Sequence, residues 1–313
     1  MRRVWFAVVR RTVVLGEWLD APLDADLAVA VEADRLGYEQ VWIGEAAKLD
    51  APAMASTIVA RTSHIEPVLG PLAVTVRSPV QIALAAATVA GAGRRTHIAL
   101  GTSSDVVARW HGRDRKGAAT LLEQTTRDVR SLIDGGRVNG FRLREPLPET
   151  TLTVAAFGPR AVAAAAGADR MVLNMVTAQT AGRLAARHPN TAVWLAAAID
   201  PTDRERRWLS RGYVGYLPAP GYGEMFAEAG FGDLVEFARS RPHPKELAAR
   251  IPDDLVDAVA LIGAETTVLR RIDEYARAGI TEIGVVVPSL DQPSGRRTLE
   301  ALAPFDRRRE TAP

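Results

Sequence analysis

Two short stretches in the middle of the chain have the residue types of an anion site. In TVAAFGPRA, residues 153–161, an apolar run reaches Phe157, meets Gly158-Pro159 and passes into a small-residue helix. Gly158 lets a ligand approach the backbone, and Pro159 suits a first helical turn, where its missing N–H would have no partner anyway. The helix start then offers free amides and the positive end of its dipole, and Arg160 adds charge. The next apolar run, RMVLN, ends in Asn174, Met175, Val176 and Thr177, a tip with a side-chain amide, a hydroxyl and more backbone donors. Together the two tips read as a phosphate cradle, with tight strand-to-helix packing as the alternative. GTSSD, residues 101–105, is a third polar tip. There Gly101, Thr102, Ser103 and Ser104 can hydrogen-bond a ligand without filling space, or cap the segment that follows.

Two residues are candidates for proton transfer: Glu45, at the end of VWIGE, and His111, in WHGR. Other chemistries have no footing. The chain has no cysteine, and its five histidines show neither HxH nor HExxH spacing, so no metal site is expected. GxSxG is absent, and no lysine stands at a strand tip to form a Schiff base. Basic residues are scattered without interleaved aromatics and the net charge is +2, which excludes nucleic acid as an expected partner. There is no apolar run of about 18 residues, the length a membrane span needs, and MRRVWFAVVRR lacks the apolar core of a signal peptide. A cytoplasmic protein is expected.

These residues need a frame to hold them. β-type runs recur at 4–9, 41–44, 67–76, 96–101, 151–156, 169–174, 191–198 and 282–287, with helical patterns between them. Asp24, Pro52 and Ser78-Pro79 start helices; a helix over 118–133 carries Ala118, Leu122, Thr125, Val129 and Leu132 on one face. Eight apolar strands alternating with helices predict an α/β fold, a closed (β/α)8 TIM barrel, as a single domain over residues 1–313. The doubly wound alternative lacks its GxGxxG after the first strand. Residues from about 200 to 260 exceed any simple loop and read as an insertion between strands seven and eight, over the barrel mouth. Its Tyr213, Tyr216, Tyr222, Met225 and Phe226 line a substrate pocket or pack the insertion down. The tail 306–313 is expected to fray. The C-terminal strand ends then select Val9–Thr12, Gly44–Ala46, Ala73–Arg77, 101–105, 157–160, 174–177, 198–200 and Pro288-Ser289 as places for chemistry.

In order and spacing, AVEADRLGYEQVWIGE (30–45), GPLAVTVRSPVQIALAAATVAGAGRRTHIALG (70–101), VAAFGPRAVAAAAGADRMVLNMVT (154–177) and LIGAETTVLRRIDEYARAGITEIGVVV (261–287) resemble the luciferase-like (β/α)8 oxidoreductases over nearly the whole chain. TSS followed by WHGR and AAFGPRA is similar to members that use the deazaflavin coenzyme F420 rather than FMN. The resemblance implies an enzyme that moves hydride between F420 and a small organic substrate, acting as a homodimer formed through barrel helices. It implies a non-proline cis peptide at Ala73-Val74 backing the deazaflavin ring. It places the cofactor phosphate at Gly158, Pro159, Arg160 and Asn174 to Thr177, and the pyrimidine or ribityl side at Thr102 to Ser104. The Asp-His of some relatives is Glu45-Ala46 here, which leaves Glu45 or His111 for its role. An FMN-dependent monooxygenase, a non-catalytic flavin-binding barrel and a sugar-phosphate enzyme are the alternatives on the same frame.

Overall fold

The computed structural model describes residues 9–17, 21–288 and 295–304. Nine strands are present: β1 Arg10–Leu15, β2 Gln40–Ile43, β3 Glu66–Ala73, β4 His97–Gly101, β5 Leu152–Ala155, β6 Arg170–Asn174, β7 Thr191–Ile199, β8 Leu261–Gly263 and β9 Glu282–Val286. Every pairing is parallel. β1 to β7 follow in order, β7 pairs β9, and β9 pairs β1, which closes an eight-stranded barrel. β8 stands outside the closed ring and pairs only with the last residues of β7, Ala197 to Ile199. The (β/α)8 expectation holds, with this one extra strand.

The first strand differs from the sequence expectation. Of residues 4–9 only Val9 lies among the described residues, and β1 is the following run, RRTVVL. Long-range pairing decides this. Arg10 to Val13 register with Glu282 to Val285 of β9, and Val13 to Leu15 with Val41 to Ile43 of β2. In that register Thr12 turns into the barrel, where its hydroxyl donates to Glu282 Oε1 at 2.9 Å. The tip of β1 is therefore Gly16-Glu17 and not Val9 to Thr12. The tail 306–313 and Ser289 lie outside the described residues.

Alternate residues on each strand fill the barrel. Near the N-terminal ends lies a buried polar layer. Arg170 Nη1 donates to Glu282 Oε2 at 2.6 Å and to Gln40 Oε1 at 3.0 Å, and Arg170 Nε to Thr153 Oγ1 at 3.1 Å. Trp42 Nε1 donates to Thr12 and Glu282, and the Arg170 guanidinium lies 4.2 Å from the Trp42 ring centroid. Above it, Val14, Trp42, Val68, Ala99, Val172, Ala192, Trp194 and Val286 form an apolar plug in which the two indoles meet edge to face at 5.4 Å. Burial of such a layer by strands whose helices cover the outside is what the continuous apolar runs required.

The helices begin largely where the sequence put them. Asp50 caps Ala51–Arg61, Ser78 and Gln81 make a capping box on Pro79–Ala90, and the helix Ala118–Ile133 buries the anticipated face. Helix Leu23–Arg35 starts after Pro22, with Asp24 in its first turn and not as its cap. No helix among the described residues is long and apolar enough to cross a membrane.

Candidate active site at the barrel mouth

On the β5–β6 side, Gly158 is the residue before the helix Pro159–Ala165, and Thr177 caps Ala178–Ala185 through a bond from Thr180 N at 3.2 Å. Gly158, Pro159 and Arg160 are exposed, and a Cβ built on Gly158 would meet nothing within 4 Å. The first helical bond of that turn is Val162 N to Gly158 O, so the amides of Arg160 and Ala161 precede the ladder. The Arg160 guanidinium turns aside and donates to Thr120 Oγ1 at 2.9 Å. Val176 is fully buried and contributes backbone, its carbonyl accepting from Tyr275. Met175, at φ 52°, and Ser103, at φ 56°, hold the left-handed conformation that non-glycine residues rarely adopt and that clusters at functional sites.

The segment between β7 and β9 reaches this side. Tyr222 stacks on Phe157 with centroids 4.5 Å apart, and Tyr216 meets Tyr222 edge-on at 4.9 Å. Tyr222 donates to the Asn174 carbonyl at 3.1 Å, and Asn174 Nδ2 approaches the Tyr216 hydroxyl at 3.5 Å. Gly221 is required here: its φ is +84° and a Cβ would sit 2.6 Å from the Phe157 ring. Of the five apolar residues expected to line the pocket, Tyr216 and Tyr222 face the mouth. Tyr213, Met225 and Phe226 are buried and pack the segment down.

On the β2–β4 side, a cavity of about 620 Å³ is lined by Glu45, Arg77, Gln81, Trp110 and His111 among others. It brings Glu45 and His111 together, but Glu45 is not a free acid. Arg77 grips it with two bonds, 2.7 and 2.8 Å long, and its Oε2 also accepts from Ala51 N at 2.9 Å. That bidentate pair, shared with Asp50, fixes the start of the next helix. His111 is exposed and ends the helix Asp105–Trp110. Ser104 caps that helix through Val107 N, and Thr102 is held by Arg115 at 2.9 Å.

Ala73 and Val74 stand at the tip of β3, both buried. The peptide between them is not cis, so the ring-backing bond expected there is absent; among the described residues the cis bond is Gly70–Pro71. The irregularity of β3 lies at the same place, between Leu69 and Leu72, where its register against β4 shifts. Past the shift, Val74 N donates to Gly101 O at 3.0 Å. Gly101 is needed for closeness, since a Cβ would lie 3.2 Å from Pro71 Cβ.

One site residue was missed by sequence reasoning. Glu17, at the true tip of β1, sits so close to β2 that its Oε1 lies 3.1 Å from where a Gly44 Cβ would be. Burial pushes its carboxyl up to about 7. Tyr216 is raised mainly by burial and then by Glu17, and Tyr222 by burial, then by Tyr216 and Glu17, which places all three in one electrostatic neighbourhood. The signal was available in the alternation of RTVVLGE, once that run is taken as the strand.

A closed parallel barrel with polar strand tips at its C-terminal face is the frame on which barrel enzymes place their active sites. The chain belongs to the luciferase-like monooxygenase family, whose sequence model matches residues 1–282. Among solved structures it is similar to the coenzyme F420-dependent tetrahydromethanopterin reductase of Methanopyrus kandleri, with TM-score 0.76 and 16% identity over 94% of this chain and 98% of that one. It is similar to an F420-dependent secondary alcohol dehydrogenase in complex with an F420-acetone adduct, at TM-score 0.72 and 16% identity over 93% and 97%. It also resembles the FMN-bound oxygenating constituent of 3,6-diketocamphane monooxygenase from Pseudomonas putida, at TM-score 0.66 and 15% identity over 94% and 97%. No curated protein matches the sequence.

Proposed function

We propose that this barrel binds a flavin-type cofactor, specifically the deazaflavin F420, and transfers hydride between it and a small organic substrate at a C=C, C=N or C=O bond. The observation that carries the reading is the pair of neighbouring tips, Phe157–Arg160 and Asn174–Thr177. A Cβ on Gly158 would meet nothing within 4 Å, and a helix starts directly after each of the two tips. That donor set fits a phosphate. The choice of F420 over FMN rests on the resemblance of TSS, WHGR and AAFGPRA to deazaflavin-dependent members, and neighbours of both kinds share the fold.

When bound, the deazaflavin supplies a hydride at its ring carbon. The chain supplies the rest. Gly158, Pro159 and the amides of Arg160 and Ala161, with Asn174 to Thr177, hold the phosphate end. Ala73, Val74, Gly101 and Thr102 form the wall against the ring. Phe157, Tyr216 and Tyr222 cover the mouth and exclude water, and the phenols of the two tyrosines remain neutral donors because burial raises them.

Gly158→Val tests the cradle. Its backbone, at φ −73°, suits valine, and the new side chain projects into open space, so stability is unchanged. F420 binding is expected to weaken about 10–100-fold through loss of charged amide hydrogen bonds. Fluorescence titration of both proteins reads the effect; equal affinity removes the cradle from the account.

A further inference from the structure

Two carboxyl groups stand on neighbouring strand tips, and the fold treats them oppositely. Glu45, after β2, is neutralised by the two-bond grip of Arg77. Glu17, after β1, has no ion pair or hydrogen-bond partner for its carboxyl among the described residues. Its placement is built in from both sides. Gly16, at φ +86°, turns the chain against the Gly44 carbonyl, and Gly44 leaves the space that Glu17 Oε1 occupies. A Cβ on Gly44 would press on the carboxyl, and one on Gly16 would lie 2.5 Å from the Gly44 carbonyl oxygen. The titratable groups that face Glu17 are Tyr216 and Tyr222 of the β7–β9 segment, both neutral. Lys48 is buried and paired with Asp26, whose other oxygen accepts from Gly16 N at 3.4 Å. Trp194 and Gly44 close the wall beneath.

We propose that Glu17 is the proton-transfer group of this barrel, acting on a substrate that carries a C=O or C=N group. The inference rests on the reading of the barrel as a hydride-transfer enzyme. In the reducing direction the substrate carbon takes hydride from the reduced cofactor. The π pair of the C=X bond takes the proton from Glu17, forming C–H and X–H. Glu17 is left as carboxylate and recovers a proton from solvent once the product has left; the cofactor is left oxidised. In the oxidising direction the carboxylate takes the X–H proton. A carboxyl poised near neutrality serves both directions, because the acid and base forms are then both populated.

The first test needs no turnover. In the cofactor-free protein carrying ¹³C-labelled glutamate, the carboxyl signal lost in Glu17→Gln is expected to titrate with a midpoint near 7. A midpoint at the ordinary glutamate value, 4.5, overturns the proposal. The second uses reduced F420 with a panel of small ketones and imines. Glu17→Gln is expected to bind F420 within about twofold of the wild type. For the best acceptor its kcat should fall about 10²–10⁴-fold with KM little changed, and the limb of the pH profile near 7 should vanish. Unchanged kcat in the variant, or no acceptor used by the wild type, overturns it. Failure of the wild type to bind F420 or FMN strikes the cofactor reading instead, and the carboxyl titration is still read independently.

Discussion

Glu282→Ala is expected to cost about 3–5 kcal/mol of unfolding free energy, because it leaves the Arg170 guanidinium uncompensated inside the barrel. Arg170 is fully buried and Glu282 is 1% exposed. Removing the carboxylate takes the 2.6 Å partner of Arg170 Nη1, an acceptor of Trp42 Nε1 and the acceptor of Thr12 in one step. Arginine cannot shed its charge to escape. Glu282→Gln keeps the volume and one acceptor oxygen and should lose less. The pH dependence has a definite sign. Burial works against the Glu282 charge, but Arg170 and Arg10, with the Thr12 hydroxyl, outweigh it and hold the carboxyl below its ordinary 4.5. The stabilisation is therefore complete above 4.5 and fades as pH falls through the lowered folded value. Urea unfolding at pH 7 measures the main effect, and a loss under about 1 kcal/mol would show that the layer is incidental to the fold.

Gly284→Ala is expected to lose about 1–3 kcal/mol by overpacking the barrel interior. A Cβ on Gly284 would lie 2.7 Å from Trp194 Cδ1 and 2.8 Å from Val14 Cγ2, contacts that neither ring nor strand can relieve cheaply. Trp194 lies between Gly284 of β9 and Gly44, just after β2, with its Cζ3 3.9 Å from a Gly44 Cβ position. The floor beneath Glu17 is thus a tryptophan that two barrel glycines admit. Displacing it should also change the tryptophan fluorescence of the folded protein. Gly215→Ala is the control, because a Cβ there meets nothing within 4 Å and stability should hold. Equal stability of the two variants would contradict this packing.

The frame was readable because it is written locally. β2, β5, β6 and β7 are apolar runs bounded by turns, and Ser78-Pro79 and Gly91 bracket their helix by capping chemistry alone. What was not readable depends on partners far along the chain. VWFAVV and RTVVL are both strand-like; the choice between them is made by Thr12 meeting Glu282, 270 residues away. That slip hid Glu17, which stands at a tip only when RTVVL is the strand. Glu45 is at the tip its sequence implied, but its engagement by Arg77, 32 residues on, has no local signature. β8 is three residues long and exists because β7 outlasts the barrel. Gly158 and Asn174 to Thr177 sit on adjacent strands as their order required, while Ser104 and Thr177 turned out to spend their side chains on helix caps.

The central claim, that the mouth holds a deazaflavin through the β5 and β6 tips, is tested most directly by titrating the purified protein with F420 and, separately, with FMN. The account predicts saturable one-to-one binding of F420, tighter than that of FMN and weakened by Gly158→Val. Saturable binding of FMN with no measurable binding of F420, or of neither, would contradict it.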